Sequence, residues 1–300
     1  MVWTFDTQLQ SIWSSSHTLS LDSERAYNQD LHISNDGKVY LVQRNKYNTK
    51  KATSSIITID GDNFNEEALT EPMFFLRNTT LINIGIEDLI GGFYFEGKVP
   101  YIDNNSDKGN ATTGVFLYNV NANKIIAKHE FDSSINGAKD LTSVQPIFTN
   151  VLGDDIYIIG EKQTYSSKFK SDKSTELDYL YTHGPTVLLK LDTKGTLKDT
   201  KVMNNTVTYK NENSERASMT VLPMNGGLKL LYNTSNFTMV GYFSEDEQPT
   251  YYPPENYAEN GTSRLTTYLV PSSVSAVKDY NLVYFVTTNG NNIWINKMTW

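Results

Sequence analysis

The chain has 300 residues, 38% of them hydrophobic, and carries 26 Lys+Arg against 34 Asp+Glu for a formal net charge of -8. Non-specific nucleic-acid binding and anionic membrane surfaces both need clustered positive charge, so this acidic balance argues against either partner. With no cysteine there is no disulfide framework, no thiolate nucleophile and no Cys-ligated metal centre, and no apolar run approaches the ~18 residues of a membrane-inserted helix.

Residues 2–13 read as two strands, Val2-Trp-Thr-Phe-Asp6 and Leu9-Gln-Ser-Ile-Trp13, around a short turn. They have the texture of the second half of a repeat whose first half is missing. The pattern restarts with Leu31-His-Ile-Ser34, the turn Asn35-Asp36-Gly37 and the strand Lys38-Val-Tyr-Leu-Val-Gln43. Asn, Asp and Gly tolerate positive φ, which makes this a hairpin signal. Ser55-Ile-Ile-Thr-Ile-Asp60 follows, and Gly61-Asp62-Asn63 turns the chain toward Glu66-Glu-Ala-Leu69.

A second unit gives Leu81 to Ile86, a turn at Gly91-Gly92, Phe93 to Glu96, a long loop, Val115 to Val120 and Lys124 to Ala127. The third has Pro146 to Leu152, the turn Gly153-Asp154-Asp155, Ile156 to Ile159, a longer loop, then Thr186-Val-Leu-Leu-Lys-Leu-Asp192, Thr-Lys-Gly195 and Thr196 to Val202. Ser218 to Leu222, Leu228 to Tyr232 and Thr238 to Phe243 form a fourth, and Ser273 to Val277, Leu282 to Val286 and Asn292 to Met298 a fifth. Each run is four to seven residues, β-branched or aromatic, and bounded by turn residues, as half-buried strands require. Nothing between them has the period of a long amphipathic helix.

Antiparallel strands recurring in units of about 40–50 residues are the signature of a β-propeller blade, which cannot bury both faces until its neighbours stack on it. The expected fold is therefore all-β, a single β-propeller domain over 1–300 with units near 1–20 (partial), 31–70, 81–130, 146–203, 218–248 and 266–300. Five blades, six blades and a truncated larger ring all fit the count, and the N-terminal strands are positioned in sequence to complete the blade that ends at Trp300. The order of an A-strand, an N-D-G or G-D-D turn, a V-Y-L-V strand, a loop, then V-L-L-K-L-D and T-K-G resembles the uncharacterised β-propeller repeat proteins of bacteria. That resemblance implies a bacterial protein, and the expected place of work of a loop-face binder is the cell envelope. A processed or truncated chain would be periplasmic or at the cell surface; one starting at its own Met1 would be cytoplasmic.

Catalytic motifs are lacking. His17, His32, His129 and His183 show no metal-ligand spacing, and there is no nucleophile elbow or phosphate-binding glycine loop. Asp103-Asn-Asn105-Ser-Asp107-Lys-Gly109 alternates oxygen donors, but its glycine falls one place late and no bidentate Glu follows, so it reads as an ordinary polar loop. No cofactor is expected.

The long loops are rich in tyrosine, of which the chain has 19, and a tyrosine ring offers a flat apolar surface with a polar tip. Elaborated loops on a rigid scaffold are where binding resides. The candidate binding residues are Tyr47, Tyr101, Tyr165, Tyr181, His183, Tyr251, Tyr252 and Tyr257, serving a glycan or protein partner of a protein that is a monomer or a domain of a larger one. The alternative is a propeller glycoside hydrolase or lyase with two or three carboxylates at the central channel. A third reading is a structural domain that displays its neighbours.

Overall fold

The computed structural model describes residues 2–20, 26–45, 54–69, 74–84, 87–96, 112–131, 144–171, 175–203, 205–210, 218–224, 227–233, 238–244, 251–252, 268–270, 273–277, 282–288 and 293–299. Among these the fold is all-β and propeller-type, a succession of antiparallel sheets with blade connectivity. Strands β1 (Val2–Phe5) and β2 (Ser11–Ser15) pair as a two-stranded sheet of their own. The first four-stranded sheet is a meander of β3 (Ala26–Ile33), β4 (Val39–Asn45), β5 (Ser54–Asp60) and β6 (Asn63–Ala68). The second runs through β7 (Phe74–Ile84), β8 (Glu87–Glu96), β9 (Gly114–Asn119) and β10 (Lys124–Glu130).

The third sheet orders β11 (Val144–Leu152), β12 (Asp155–Phe169), β13 (Leu177–Asp192) and β14 (Leu197–Met203), with β15 (Val207–Lys210) also paired to β13. The fourth contains β16 (Met219–Met224), β17 (Gly227–Asn233), β18 (Thr238–Ser244) and β19 (Tyr251–Tyr252). In the fifth, β20 (Tyr268–Leu269) and β21 (Ser275–Val277) pair with successive stretches of β22 (Leu282–Thr288), while β23 (Ile293–Thr299) pairs along its whole length. Tyr284, Ile293 and Ile295 are exposed there.

Three hairpins share one turn, and its chemistry is visible in the sequence. In Ser34–Gly37, Asp192–Gly195 and Asp6–Leu9 the amide of the fourth residue donates to the carbonyl of the first, at 3.0, 2.9 and 3.0 Å. The side-chain oxygen of the first residue then accepts the amide of the fifth: Lys38 at 3.0 Å, Thr196 at 2.7 Å and Gln10 at 2.8 Å. These bonds hold the Asp192 carboxyl below its ordinary pKa, the Thr196 amide being the largest cause. The fourth residue has positive φ: Gly37 at 87°, Gly195 at 85°, and Leu9 at 62°. A left-handed leucine is strained by ~1–2 kcal/mol, and Leu9 is 82% exposed, so its side chain contributes little burial in return. Replacing Leu9 with Gly is expected to raise stability by about 0.5–1 kcal/mol, after the extra chain entropy of glycine, read as a higher midpoint in urea.

Contacts divide the chain into two units: residues 1–142, 149–158 and 189–200, and residues 143–148, 159–188 and 201–300. In the first unit, alternation along β4 and β5 gives the first sheet two buried faces. Tyr40, Val42 and Ile56 meet Leu76, Ile90, Tyr94, Phe116 and Tyr118 of the second sheet. On the other face Val39, Ile57 and Ile59 are covered by Val2 and Trp13 of the N-terminal hairpin, with Leu19, Leu41 and Phe64. Each large apolar side chain so enclosed stabilises by about 1.5–3 kcal/mol relative to exposure, which is why a blade needs neighbours.

In the second unit, Leu222 and Leu231 of the fourth sheet pack on Leu269 and Val283 of the fifth. The Asn233 amide there bonds both backbone groups of Leu269, donating to its carbonyl at 2.7 Å and accepting its N–H at 2.8 Å.

One turn expected from the sequence is corrected. Gly91 and Gly92 lie inside β8, with Gly91 opposite Thr80 and Leu117, and the strand change falls between Ile84 and Glu87. The glycine marks close packing rather than a bend: a Cβ at Gly91 would lie 2.7 Å from Ile82 Cδ1 and 2.9 Å from Leu117 Cδ2.

Candidate functional site

Strands β12 and β13 are 15 and 16 residues long, well beyond the usual 3–10. The segment expected to be a loop from Tyr165 through His183 is thus a long extension of β12 and β13, with β15 added beside Leu180–His183, and the Lys170 amide donates to the Glu176 carbonyl at 3.0 Å. Its sequence explains this. Gln163 and Tyr165 alternate with Lys162, Thr164 and Ser166, and Tyr179, Tyr181 and His183 with Asp178, Leu180 and Thr182, a mixed pattern that lacks the apolar run of a core strand.

Successive side chains of a strand point to opposite faces, and here the two faces differ in chemistry. One carries the Asp178–Lys210 ion pair, 2.6 Å, and the Thr182–Thr208 hydroxyl contact, 2.9 Å. The other carries Glu161, Gln163 and Tyr165 from β12, Tyr179, Tyr181 and His183 from β13, and Val207 and Tyr209 from β15, the register pairing Tyr181 with Tyr209 and His183 with Val207.

On this second face Tyr165 stacks on Tyr179, ring centroids 5.8 Å apart and 16° between planes, and tilts against Tyr181 at 5.2 Å and 52°. Tyr165 and Tyr181 are half-buried and Tyr179 is exposed. Desolvation among the rings, with the neighbouring Tyr179 and Tyr181 phenols, pushes the Tyr165 hydroxyl above its ordinary pKa.

At the foot of the rings the buried Glu161 carboxylate sits 2.8 Å from His183 Nδ1 and also accepts from Gln163 Nε2 at 3.2 Å. A carboxylate only accepts, so Nδ1 carries the proton in this contact. Tyr209 approaches His183 edge-on at 6.5 Å and 71°. Glu161 and His183 open on a small hollow, lined also by Asn205, Ser218, Tyr232 and Asn233, with room for about one water molecule. Among the described residues no group of three or more His, Asp and Glu gathers as a metal site. Among the described residues the two buried acids, Glu161 and Asp178, alternate to opposite faces of the ribbon.

Of the eight residues singled out from sequence, Tyr165, Tyr181 and His183 share this face. Tyr251 and Tyr252, expected on a long loop, form β19 and pair with Gly241 and Val240. Tyr47, Tyr101 and Tyr257 lie outside the described residues. Glu161, Gln163, Tyr179 and Tyr209 were not singled out, although the alternation from Glu161 to Phe169 and from Tyr179 to His183 is a signal that finds them once both runs are read as strands.

No protein-family model matches the chain, and no curated protein sequence matches it. Among solved structures it is similar to one from a structural and mechanistic study of two prolyl endopeptidases, at a TM-score of 0.31 and 10% identity, over 93% of this chain and 43% of that one. The chain thus spans less than half of that protein's length.

Proposed function

We propose that the chain is a non-catalytic β-propeller scaffold, akin to the bacterial propeller repeat proteins and working at the cell envelope, that holds a glycan on the tyrosine face of β12, β13 and β15. The observation that carries this reading is the half-exposed Tyr165–Tyr179–Tyr181 cluster on the same face as the Glu161–His183 pair. A sugar ring has an apolar C–H face and a rim of hydroxyls. It needs a flat aromatic surface with hydrogen-bonding groups at its edge, and Tyr side chains beside Gln163 and His183 supply both. Four residues of strand separate Tyr179 from His183, about 14 Å at ~3.4 Å per residue, enough for a short run of sugars. The bacterial assignment rests on the resemblance in strand texture.

Isothermal titration with soluble tetrasaccharides of glucose, mannose, xylose and galacturonic acid tests the reading. Saturable binding of at least one is expected. No heat at millimolar saccharide with any of them, or capture of a protein partner that no saccharide displaces, overturns it.

A further inference from the structure

The hollow at the foot of the tyrosines is too small for a sugar ring yet lined by polar groups. We propose that it is a subsite for one sugar hydroxyl, whose hydrogen is accepted by His183 Nε2, with Glu161 as the positioning residue that fixes the imidazole. This rests on the glycan reading above and adds to it which groups set specificity.

The argument starts from Glu161. Its side chain is 2% exposed, and a carboxylate so buried persists only with donors around it. His183 Nδ1 and Gln163 Nε2 are those donors. Because Nδ1–H is committed to Glu161, the neutral ring presents Nε2 as an acceptor, and no hydrogen bond to Nε2 is made by the described residues. Half-burial and the edge of Tyr209 limit the ring's movement. An acceptor fixed in a hollow of one-water size selects an O–H donor. It rejects a carboxylate, which has no hydrogen to give, and a methyl group, which leaves the acceptor unpaired.

The test compares the best-binding neutral tetrasaccharide with its mono-deoxy analogues. Against the wild-type chain one deoxy position is expected to lose about tenfold or more in affinity, the others little. In His183→Phe that difference disappears while stacking on the tyrosines continues, and in Glu161→Gln it shrinks at an unchanged melting temperature. A readout that needs no variant is the nitrogen NMR spectrum of the wild-type histidines: His183 is expected as the Nδ1–H tautomer, with Nε2 shifting on addition of the parent sugar and not of the critical deoxy analogue.

Equal discrimination among analogues in wild type and His183→Phe, or an Nε2–H tautomer of His183, overturns the subsite while leaving glycan binding intact. Absence of binding by every saccharide of the panel overturns the glycan reading, and the subsite with it.

Discussion

Replacing Tyr165 and Tyr181 together with Ala is expected to lower glycan affinity by about a hundredfold, at ~1–1.5 kcal/mol or about tenfold for each ring. Tyr165 contacts both of its neighbours, at 5.8 and 5.2 Å, so its loss removes a surface and also releases Tyr179 and Tyr181 from their fixed orientations. Tyr179 is the more exposed ring, and Tyr179→Ala alone is expected to cost less than tenfold. The control lies on the reverse of the ribbon. Thr182→Ala with Thr208→Ala removes a 2.9 Å hydroxyl contact and should leave affinity within twofold. Titration calorimetry on the four proteins decides the matter; equal losses from both faces would show a damaged ribbon rather than a missing platform.

Gly195→Ala is expected to lower stability by about 3 kcal/mol. Two costs combine: an L-residue at φ 85° is strained by ~1–2 kcal/mol, and overpacking a filled site adds ~1–3 kcal/mol. The added Cβ would lie 2.3 Å from the Cβ of Ala127, a contact that forces β10 and the β13–β14 turn apart. That movement would also strain the 2.8 Å bond between His129 Nε2 and the Gly195 carbonyl. Gly37→Ala separates the terms, since Gly37 has nearly the same φ, 87°, with nothing within 4 Å of its Cβ position. Urea denaturation should place Gly37→Ala about 1 kcal/mol below wild type and Gly195→Ala well below that. Equal destabilisation would mean that the clash with Ala127 relaxes freely.

The hairpin turns were legible because their cause is local. Asp192-Thr-Lys-Gly195 and Ser34-Asn-Asp-Gly37 each carry their own acceptor and their own positive-φ residue within four positions. Strands such as Ser54–Asp60 and Gly227–Asn233 were legible because burial on both faces leaves a continuous apolar texture. The outer halves of β12 and β13 are hidden for the opposite reason: a ribbon with both faces half-wet has no apolar run to announce it, so its tyrosines read as loop residues. The Glu161–His183 contact joins residues 22 apart in sequence. It exists only because those two segments pair, so neither residue alone points to the other. Gly91 misled because glycine serves equally as a bend and as a gap into which Ile82 and Leu117 fit.

Strand β23 pairs with β22 on one side, and among the described residues its other side has no ladder partner. Ile293 and Ile295, 74% and 80% exposed, stand on one face of the strand, with the exposed Lys297 on the same face. Such a border is a template on which another extended segment can add, and a single lysine is a weak gatekeeper against it. Concentrated solutions of this chain should therefore grow by edge-on strand addition from that end, and a second charge at Ile295 should keep it dispersed.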